Sequence, residues 1–419
     1  MMRRFLIIWL CAGLLFAPFA SVTSSVYADD VSEDLSAPGP YLVGWADVSV
    51  TFSAIEEGAA IDRTLQARVY YPALAPGGQN AALNPSGGPY PAIAFGHGFV
   101  QPITRYASTT THLATWGFVI IATKSQGGPL PSHSQYADDL IATLNWLEAQ
   151  NGQAASRFFQ NVDTAHFGIS GHSMGGGASL LAADRDPSIV AVANLAAAQT
   201  NPSAIAAMAG IAAPVLLVAG SEDSITPPNQ HQAPMYNNGS APRQLALVQG
   251  GFHCGFQDSG PRVGCDRGSL SRAAQLTITR RLLTAWFLLY LKSDVARWET
   301  VWGPSLATDP QVTYTTDDGI GLSPKTQSGT TPAGQLLNYT VMVTNTDTVA
   351  TSLALAVQSG WAAGTSVSTI GPLAPGTGAS VTVWVTPPVA GQQTLTLTVT
   401  SLADGGTTDW ATMTTTSTP

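Results

Sequence analysis

The stretch Asp163 to Asp184, DTAHFGISGHSMGGGASLLAAD, constrains the fold more than any other part of this 419-residue chain. Its centre, Gly171-His172-Ser173-Met174-Gly175, fits the G-x-S-x-G elbow, in which a strand turns sharply into a helix and leaves a serine at the tip. Glycines flank the serine because side chains there would collide at so tight a crossing. The plain alternative is a loop in a Gly-rich chain. Against it, His166-Phe167-Gly168-Ile169-Ser170 reads as a short buried strand before the motif, and Ala178 to Ala183 continues as a helix after it.

Segments of the same two kinds alternate on either side of the elbow. Val48 to Phe52 and Gln66 to Tyr71 alternate like strands, and Ala75 to Pro91 is a Gly/Pro/Asn-rich loop. Ala92 to Phe95, Phe118 to Ala122, Ile189 to Ala193, Pro214 to Ala219 and Gln244 to Val248 are short apolar runs. Tyr106 to Thr115, Tyr136 to Gln150 and Ser271 to Lys292 carry helical patterns. The apolar run from Leu282 to Leu291 is too short to span a bilayer and fits a core-packing helix. Strands that are apolar throughout, separated by helices, imply a mostly parallel sheet covered on both faces, with functional loops at the carboxyl ends of its strands.

From Gln311 onward the composition changes. There are five Asp and one Lys, no Arg, Glu or His, and much Thr, Val, Gly and Ser. Period-2 runs at Leu337–Val343, Leu353–Val357, Val381–Val385 and Leu395–Val399 are separated by turn signals such as Asn345-Thr346-Asp347 and Ala374-Pro375-Gly376. They predict a separate all-β sandwich. The expected division is a signal peptide over 1–28, a catalytic α/β domain over 29–312 and a β-sandwich over 319–419.

The signal rests on Arg3-Arg4, the apolar Phe5 to Ala20 and the Val26-Tyr27-Ala28 cleavage site; the alternative is a retained membrane anchor. Export without a lasting membrane attachment is therefore expected. A net charge of −9 and only 10% charged residues argue against nucleic acid and anionic membranes as partners. Signal removal would leave two cysteines, Cys254 and Cys265. In an exported chain they suggest one disulfide, with free thiols as the alternative and a metal site disfavoured for want of well-spaced histidines. Closing a loop of about twelve residues would contribute on the order of 3 kcal/mol and would pin the residue before Cys254.

A nucleophilic serine needs a base, and the base needs an orienting acid, in the order Ser, Asp or Glu, His. The run Val215 to Ala219 leads into Gly220-Ser221-Glu222-Asp223, where Asp223 is favoured over Glu222 as lying where the loop has turned inward. The run Leu245 to Val248 leads into Gln249-Gly250-Gly251-Phe252-His253, so His253 is the expected general base. His112, His166 and His231 read as face, strand and loop residues, and His133 as a loop residue near the cleft. The amide of Met174, after the serine, and that of Phe99, after the Ala92 to Phe95 strand, are the expected oxyanion donors. Neither a cofactor nor a metal is called for.

HGF (97–99), VDTAHFGISGHSMGGG (162–177), GSEDSITP (220–227) and GGFHCGF (250–256) resemble the cutinase-like polyester hydrolases. These are α/β-hydrolases related to the chlorophyllase, platelet-activating-factor acetylhydrolase and dienelactone hydrolase groups. The resemblance covers roughly Pro40 to Trp302. It implies Ser173, Asp223 and His253 as the triad, Phe99 and Met174 as oxyanion donors, and Phe99, His172 and Ala198 along the substrate. Such hydrolases carry a Trp in the loop after the strand that follows the elbow helix. Here Ala198 stands near that place, which weakens an aromatic clamp for aryl polyesters. The C-terminal stretches Val343-Thr344-Asn345-Thr346 and Leu373-Ala374-Pro375-Gly376 resemble Ig-like NEW3-type modules appended to secreted bacterial enzymes, a likeness that implies no chemistry.

The sequence thus predicts a monomeric, secreted serine ester hydrolase acting on an ester, with a polymer surface as one form of substrate. The rivals are a hydrolase of lipid or acetyl esters, and a polymer- or surface-binding protein whose hydrolase part is inert.

Overall fold

The computed structural model describes residues 33–419 apart from 57–58, 75, 261–263, 348 and 404–406. The expected signal peptide, 1–28, lies outside the described residues. Leu35–Pro419 form one compact unit. No helix among the described residues is long and apolar enough to cross a membrane.

Ten strands make one mixed sheet. They are β1 (Leu42–Glu56), β2 (Ala59–Ala73), β3 (Gly78–Gln79), β4 (Tyr90–Gly96), β5 (Val119–Thr123), β6 (Val162–His172), β7 (Ile189–Leu195), β8 (Val215–Gly220), β9 (Arg243–Val248) and β10 (Val312–Asp317). Their spatial order is β10-β9-β8-β7-β6-β4-β5-β2-β1-β3. The six from β5 through β9 run parallel, and every residue of β4, β5 and β8 is buried, as strands covered on both faces require.

The covering helices are α1 (Ala107–Thr115), α2 (His133–Asn151), α3 (Met174–Arg185), α4 (Ala204–Ala207), α5 (Gln232–Asn238), α6 (Arg272–Leu291) and α7 (Trp298–Val301). Serine caps start the two long ones: Ser132 Oγ accepts from the Gln135 amide (3.2 Å), and Ser271 Oγ from the Ala274 amide (3.2 Å). Two apolar cores lie on the two faces. One holds α2 and α3 against β4 and β6; the other holds α1 and α6, with Trp286 and Phe287 at its centre.

The first two strands are longer than the apolar alternation suggests. Beyond the runs read from sequence, they form a fifteen-residue antiparallel pair tied by polar cross-strand contacts. These include Thr51–Thr64 (2.9 Å), Ser53 to Asp62 (3.0 Å) and the bidentate Arg68–Asp47 pair. A solvated edge hides such strands from a hydrophobic reading.

The C-terminal region forms two further sheets. One, in the order β11-β13-β17-β15, contains β11 (Ile320–Ser323), β13 (Leu337–Asn345), β15 (Ala362–Thr365) and β17 (Gly378–Thr386). The other, β12-β19-β18-β14-β16, contains β12 (Thr326–Pro332), β14 (Thr351–Gln358), β16 (Thr369–Leu373), β18 (Gly391–Ser401) and β19 (Thr408–Thr418). Their inner residues, among them Tyr339, Val341, Leu353, Val383, Leu397 and Met413, share one core.

The shift in composition at Gln311 does not coincide with the change of sheet. Val312–Asp317 pairs antiparallel with β9, and Arg243 binds Asp317 across that pair (3.1 Å). The large sheet therefore reaches past the expected boundary at 312, to Asp317. A Thr-rich strand can close the edge of a sheet when a single valine, Val312, is buried there.

Candidate active site

The site is built where β4, β6, β8 and β9 end. At the end of β6 the chain passes through Ser173 with φ 57° and ψ −120° and enters α3 at Met174. Non-Gly residues avoid positive φ, so the neighbours must hold this conformation. They do so through hydrogen bonds: the Ser173 amide donates to the Leu195 carbonyl (3.0 Å), and the Ser173 carbonyl accepts from Gly177 (3.0 Å) and Ala198 (2.9 Å). The turn needs its glycines. A Cβ on Gly175 would lie 2.2 Å from the Gly96 carbonyl oxygen, and one on Gly171 would lie 2.5 Å from the Gly175 backbone. Ser173 is 8% exposed, and the Met174 amide opens a helix, where no intrahelical acceptor exists.

Asp223 lies one turn beyond β8 and His253 opens the short 3-10 turn His253–Phe256 beyond β9. Asp223 Oδ2 is 2.8 Å from His253 Nδ1, with both side chains buried. The other carboxylate oxygen accepts from the amides of Ile225 (2.9 Å) and Thr226 (2.7 Å). Thr226 Oγ1 completes the cluster, 2.8 Å from Asp223 Oδ2 and 3.0 Å from His253 Nδ1. Burial by itself would raise the Asp223 pKa. The hydrogen bond and charge of His253, followed by the Thr226 amide and hydroxyl, outweigh it and hold the carboxyl below its ordinary value. An ionised Asp223 places the ring proton on Nδ1 and leaves Nε2 as the basic nitrogen.

Glu222, one residue earlier, accepts from the amide and the hydroxyl of Ser269, both at 2.7 Å. Its side chain is thus spent on the segment after Cys265. Cys254 and Cys265 are joined as a disulfide, with Cα atoms 5.8 Å apart.

His97-Gly98-Phe99 follows β4. The His97 amide donates to the Tyr136 hydroxyl (2.6 Å) and the Gly98 amide to the Tyr106 hydroxyl (3.0 Å). An anion at this loop would therefore have to be met by the next amide, that of Phe99, a residue that is 49% exposed. Burial keeps the Tyr136 hydroxyl protonated against the opposing hydrogen bond to the His97 backbone, and burial does the same for Tyr106. The His97 ring braces the loop from behind, with Nδ1 2.8 Å from the Gly98 carbonyl and Nε2 2.8 Å from that of Ser125.

His172 is enclosed completely, which differs from the expectation that it lines the substrate. Tyr106 OH accepts from Gly98 and from Gln257 Nε2 (3.2 Å), so its single proton goes to His172 Nδ1 (2.9 Å). The His172 Nε2–H is then free to donate to the His253 carbonyl (3.1 Å). Burial, then the neighbouring His253 charge, holds the His172 pKa well below the usual range, in accord with a neutral ring. His172 is thus a strut between the Phe99 loop and the His253 loop.

Ala198 is half-buried, beside the turn, and donates its amide to Ser173. The other histidines are placed as follows. His112 is buried on α1, and His166 sits within β6, paired to Asp163 (2.7 Å). His133 opens α2 instead of lying in a loop, because Ser132 caps the helix there; its ring meets Asn201. His231 Nδ1 accepts from the Gln199 amide (2.9 Å). Sequence reasoning missed Thr226, Tyr106, Tyr136 and Gln257. The Thr of Ser224-Ile225-Thr226-Pro227, three residues past Asp223, was a usable signal; for the tyrosines there was none.

A PET hydrolase-like family profile matches residues 65–270. The bis(hydroxyethyl) terephthalate hydrolase of Streptomyces coelicolor is 27% identical over 224 residues, covering 52% of this chain and 69% of that protein. The cutinase est1 of Thermobifida alba is 30% identical over 149 residues, 36% of this chain and 48% of its own length. A cutinase of Thermobifida fusca is 28% identical over 149 residues, covering 36% of this chain and 47% of its own length. The chain therefore spans about half the length of these cutinases. The span matched by the family profile includes Ser173, Asp223 and His253, and together with these relatives it supports an ester hydrolase of the polyester hydrolase group.

Proposed function

We propose that this protein is a secreted serine carboxylic-ester hydrolase acting through an acyl-enzyme on Ser173. The observation that carries the reading is the buried 2.8 Å contact of Asp223 with His253, together with a serine held at positive φ where a strand turns into a helix. In this mechanism His253 Nε2 takes the Ser173 hydroxyl proton as Oγ bonds to the ester carbon. The tetrahedral oxyanion is met by the amides of Met174 and Phe99, and the loss of one such donor costs about 10² to 10³ in rate. Collapse breaks the bond to the alkoxy oxygen, which leaves with the proton from His253. Water then attacks the acyl-enzyme by the reverse route, giving the acid and restoring Ser173.

Ala198, half-buried beside the turn, stands near the place where the resembled hydrolases carry a Trp, which weakens an aromatic clamp for aryl polyesters. Residues 320–418 are read as an Ig-like module appended to a catalytic domain that ends at Asp317, and the protein as a monomer whose substrate includes polymer surfaces. A panel of p-nitrophenyl esters of increasing acyl length, run beside aliphatic and aromatic polyester films, tests the reading. Hydrolysis of the soluble esters and the aliphatic film by wild type, and of none by Ser173→Ala, is the expected result. Equal activity in the variant would refute it.

A further inference from the structure

The backbone around His253 is gripped by side chains from several directions, and one of them reaches a second loop. Gln275 on α6 pairs with both backbone groups of Phe252, accepting from its amide (3.0 Å) and donating to its carbonyl (2.8 Å). Arg272 Nη1 donates to the carbonyls of Cys254 and Gln257, the latter at 2.7 Å. The His253 carbonyl is taken by His172. The amides of His253 and Cys254 both go to one carboxylate, that of Asp266: His253 to Oδ2 at 2.8 Å and Cys254 to Oδ1 at 3.0 Å.

Asp266 Oδ2 also accepts from the amide of Ser224 at 3.3 Å. Ser224 directly follows Asp223. One carboxylate thus touches the backbone beside the acid and the backbone of the base. Its own position is fixed from both sides: Cys265, the residue before it, is bonded to Cys254, and Ser269, three residues on, is held by Glu222 of the acid loop. The two loops leave adjacent parallel strands, β8 and β9, and nothing in those strands alone sets how their tips approach.

We infer that Asp266 is a positioning residue that fixes the acid loop against the base loop, and that the Cys254–Cys265 bond acts on catalysis through it. The inference rests on the reading of Asp223 and His253 as acid and base. An imidazole displaced by about 1 Å can cost up to about 100-fold in rate without loss of substrate binding. Asp266→Asn keeps the size of the side chain but turns one acceptor into a donor facing an amide, so the clamp opens on one side.

The test compares wild type, Asp266→Asn, Asp266→Glu, the double variant Cys254→Ser/Cys265→Ser, and Asp266→Asn in that double variant. Each is measured for kcat and KM on a soluble p-nitrophenyl ester, for thermal midpoint, and for the His253 Nδ1 proton by NMR, assigned by its loss in Asp223→Ala. In Asp266→Asn, kcat should fall about 10- to 100-fold with KM nearly unchanged, and the Nδ1 proton should exchange with water faster. Asp266→Glu should recover part of kcat, and removing the disulfide from Asp266→Asn should add little, as expected of groups acting through one another. Wild-type kcat and an unchanged Nδ1 proton in Asp266→Asn would overturn the inference, as would fully additive losses. The proton resonance needs no turnover. An inert wild type would therefore refute the esterase reading, while the resonance would still decide the positioning claim.

Discussion

Both halves of the compact unit are built on β-sheet, yet they use buried polar residues differently. In the large-sheet half, beside those carried by helices such as Thr143, Ser179 and Thr279, a group lies where strands end: His97 after β4, His172 and Ser173 at the end of β6, Asp223 and Thr226 after β8, His253 after β9. In the C-terminal sheets they are scattered, and several serve only to join neighbouring strands or loops. Asn345 Nδ2 donates to the carbonyls of Val349 (2.7 Å) and Leu373 (2.9 Å), Thr351 meets Ser401 at 3.1 Å, and Tyr339 meets Thr415 at 2.7 Å. Parallel strands all end on the same side, so residues far apart in sequence meet there. Antiparallel strands send alternate ends to opposite sides, and such a meeting is harder to arrange.

That contrast can be broken or sharpened by substitution. Asp223→Asn should lower kcat by about 10⁴-fold, because an amide in place of the carboxylate favours the wrong tautomer of His253. A steady-state assay across pH 6 to 9 checks this; a loss below about tenfold would mean that the pair is structural. Tyr106→Phe should cost less, about tenfold in kcat. It frees the Gly98 amide and strips His172 of its proton donor, so that both loops loosen together. If Gln257→Met, which removes the side-chain hydrogen bond to the Tyr106 hydroxyl and leaves that of Tyr106 to His172, produced the same loss, the strut through His172 would be in doubt.

In the C-terminal half the expected effect on hydrolysis is none, and the effect is on stability. Burial, and then the nearby Asp409 charge, push the Asp318 carboxyl well above its ordinary pKa. A raised carboxyl contributes stability that is fully present below the unfolded pKa of about 4 and lost as pH rises through the folded value. The contribution of Asp318 to the thermal midpoint should therefore fall across that range, read as the difference between wild type and Asp318→Asn. Asp318→Asn, which keeps the acceptor for the Ile320 amide, should flatten the fall and raise the midpoint by a few degrees at neutral pH. A steeper fall in the variant would contradict this.

Much of the proposed site was legible because its residues ride on local pattern. The elbow announces itself through glycines that a tight crossing requires, and the proposed acid and base each follow an apolar run closely. Choosing Asp223 over Glu222 rested on where a loop turns inward, and the structure puts Glu222 on Ser269. His172 was misjudged because its neighbours in sequence suggest a cleft, whereas its partners Tyr106 and His253 lie 66 and 81 residues away. Asp266 was invisible for the same reason: a carboxylate that binds three amides looks like any surface acid until the loops are folded.

Of the strands that escaped notice, β12 and β19 are rich in threonine. Along β19 only Ala411 and Met413 are apolar inward residues, and Thr415 and Ser417 continue the buried face, so no period-2 hydrophobic signal exists to be read. β10 falls almost wholly between the two expected domains, 29–312 and 319–419, because only its pairing with β9, and no apolar pattern of its own, marks it as a strand of the large sheet.

The central claim is that Ser173 is the nucleophile, and covalent labelling tests it most directly. Intact-mass and peptide mapping after reaction with a fluorophosphonate should give one adduct per chain, on Ser173, with none in Ser173→Ala and strongly slowed labelling in His253→Ala. An unlabelled wild type, or an adduct that persists in Ser173→Ala, would contradict the account.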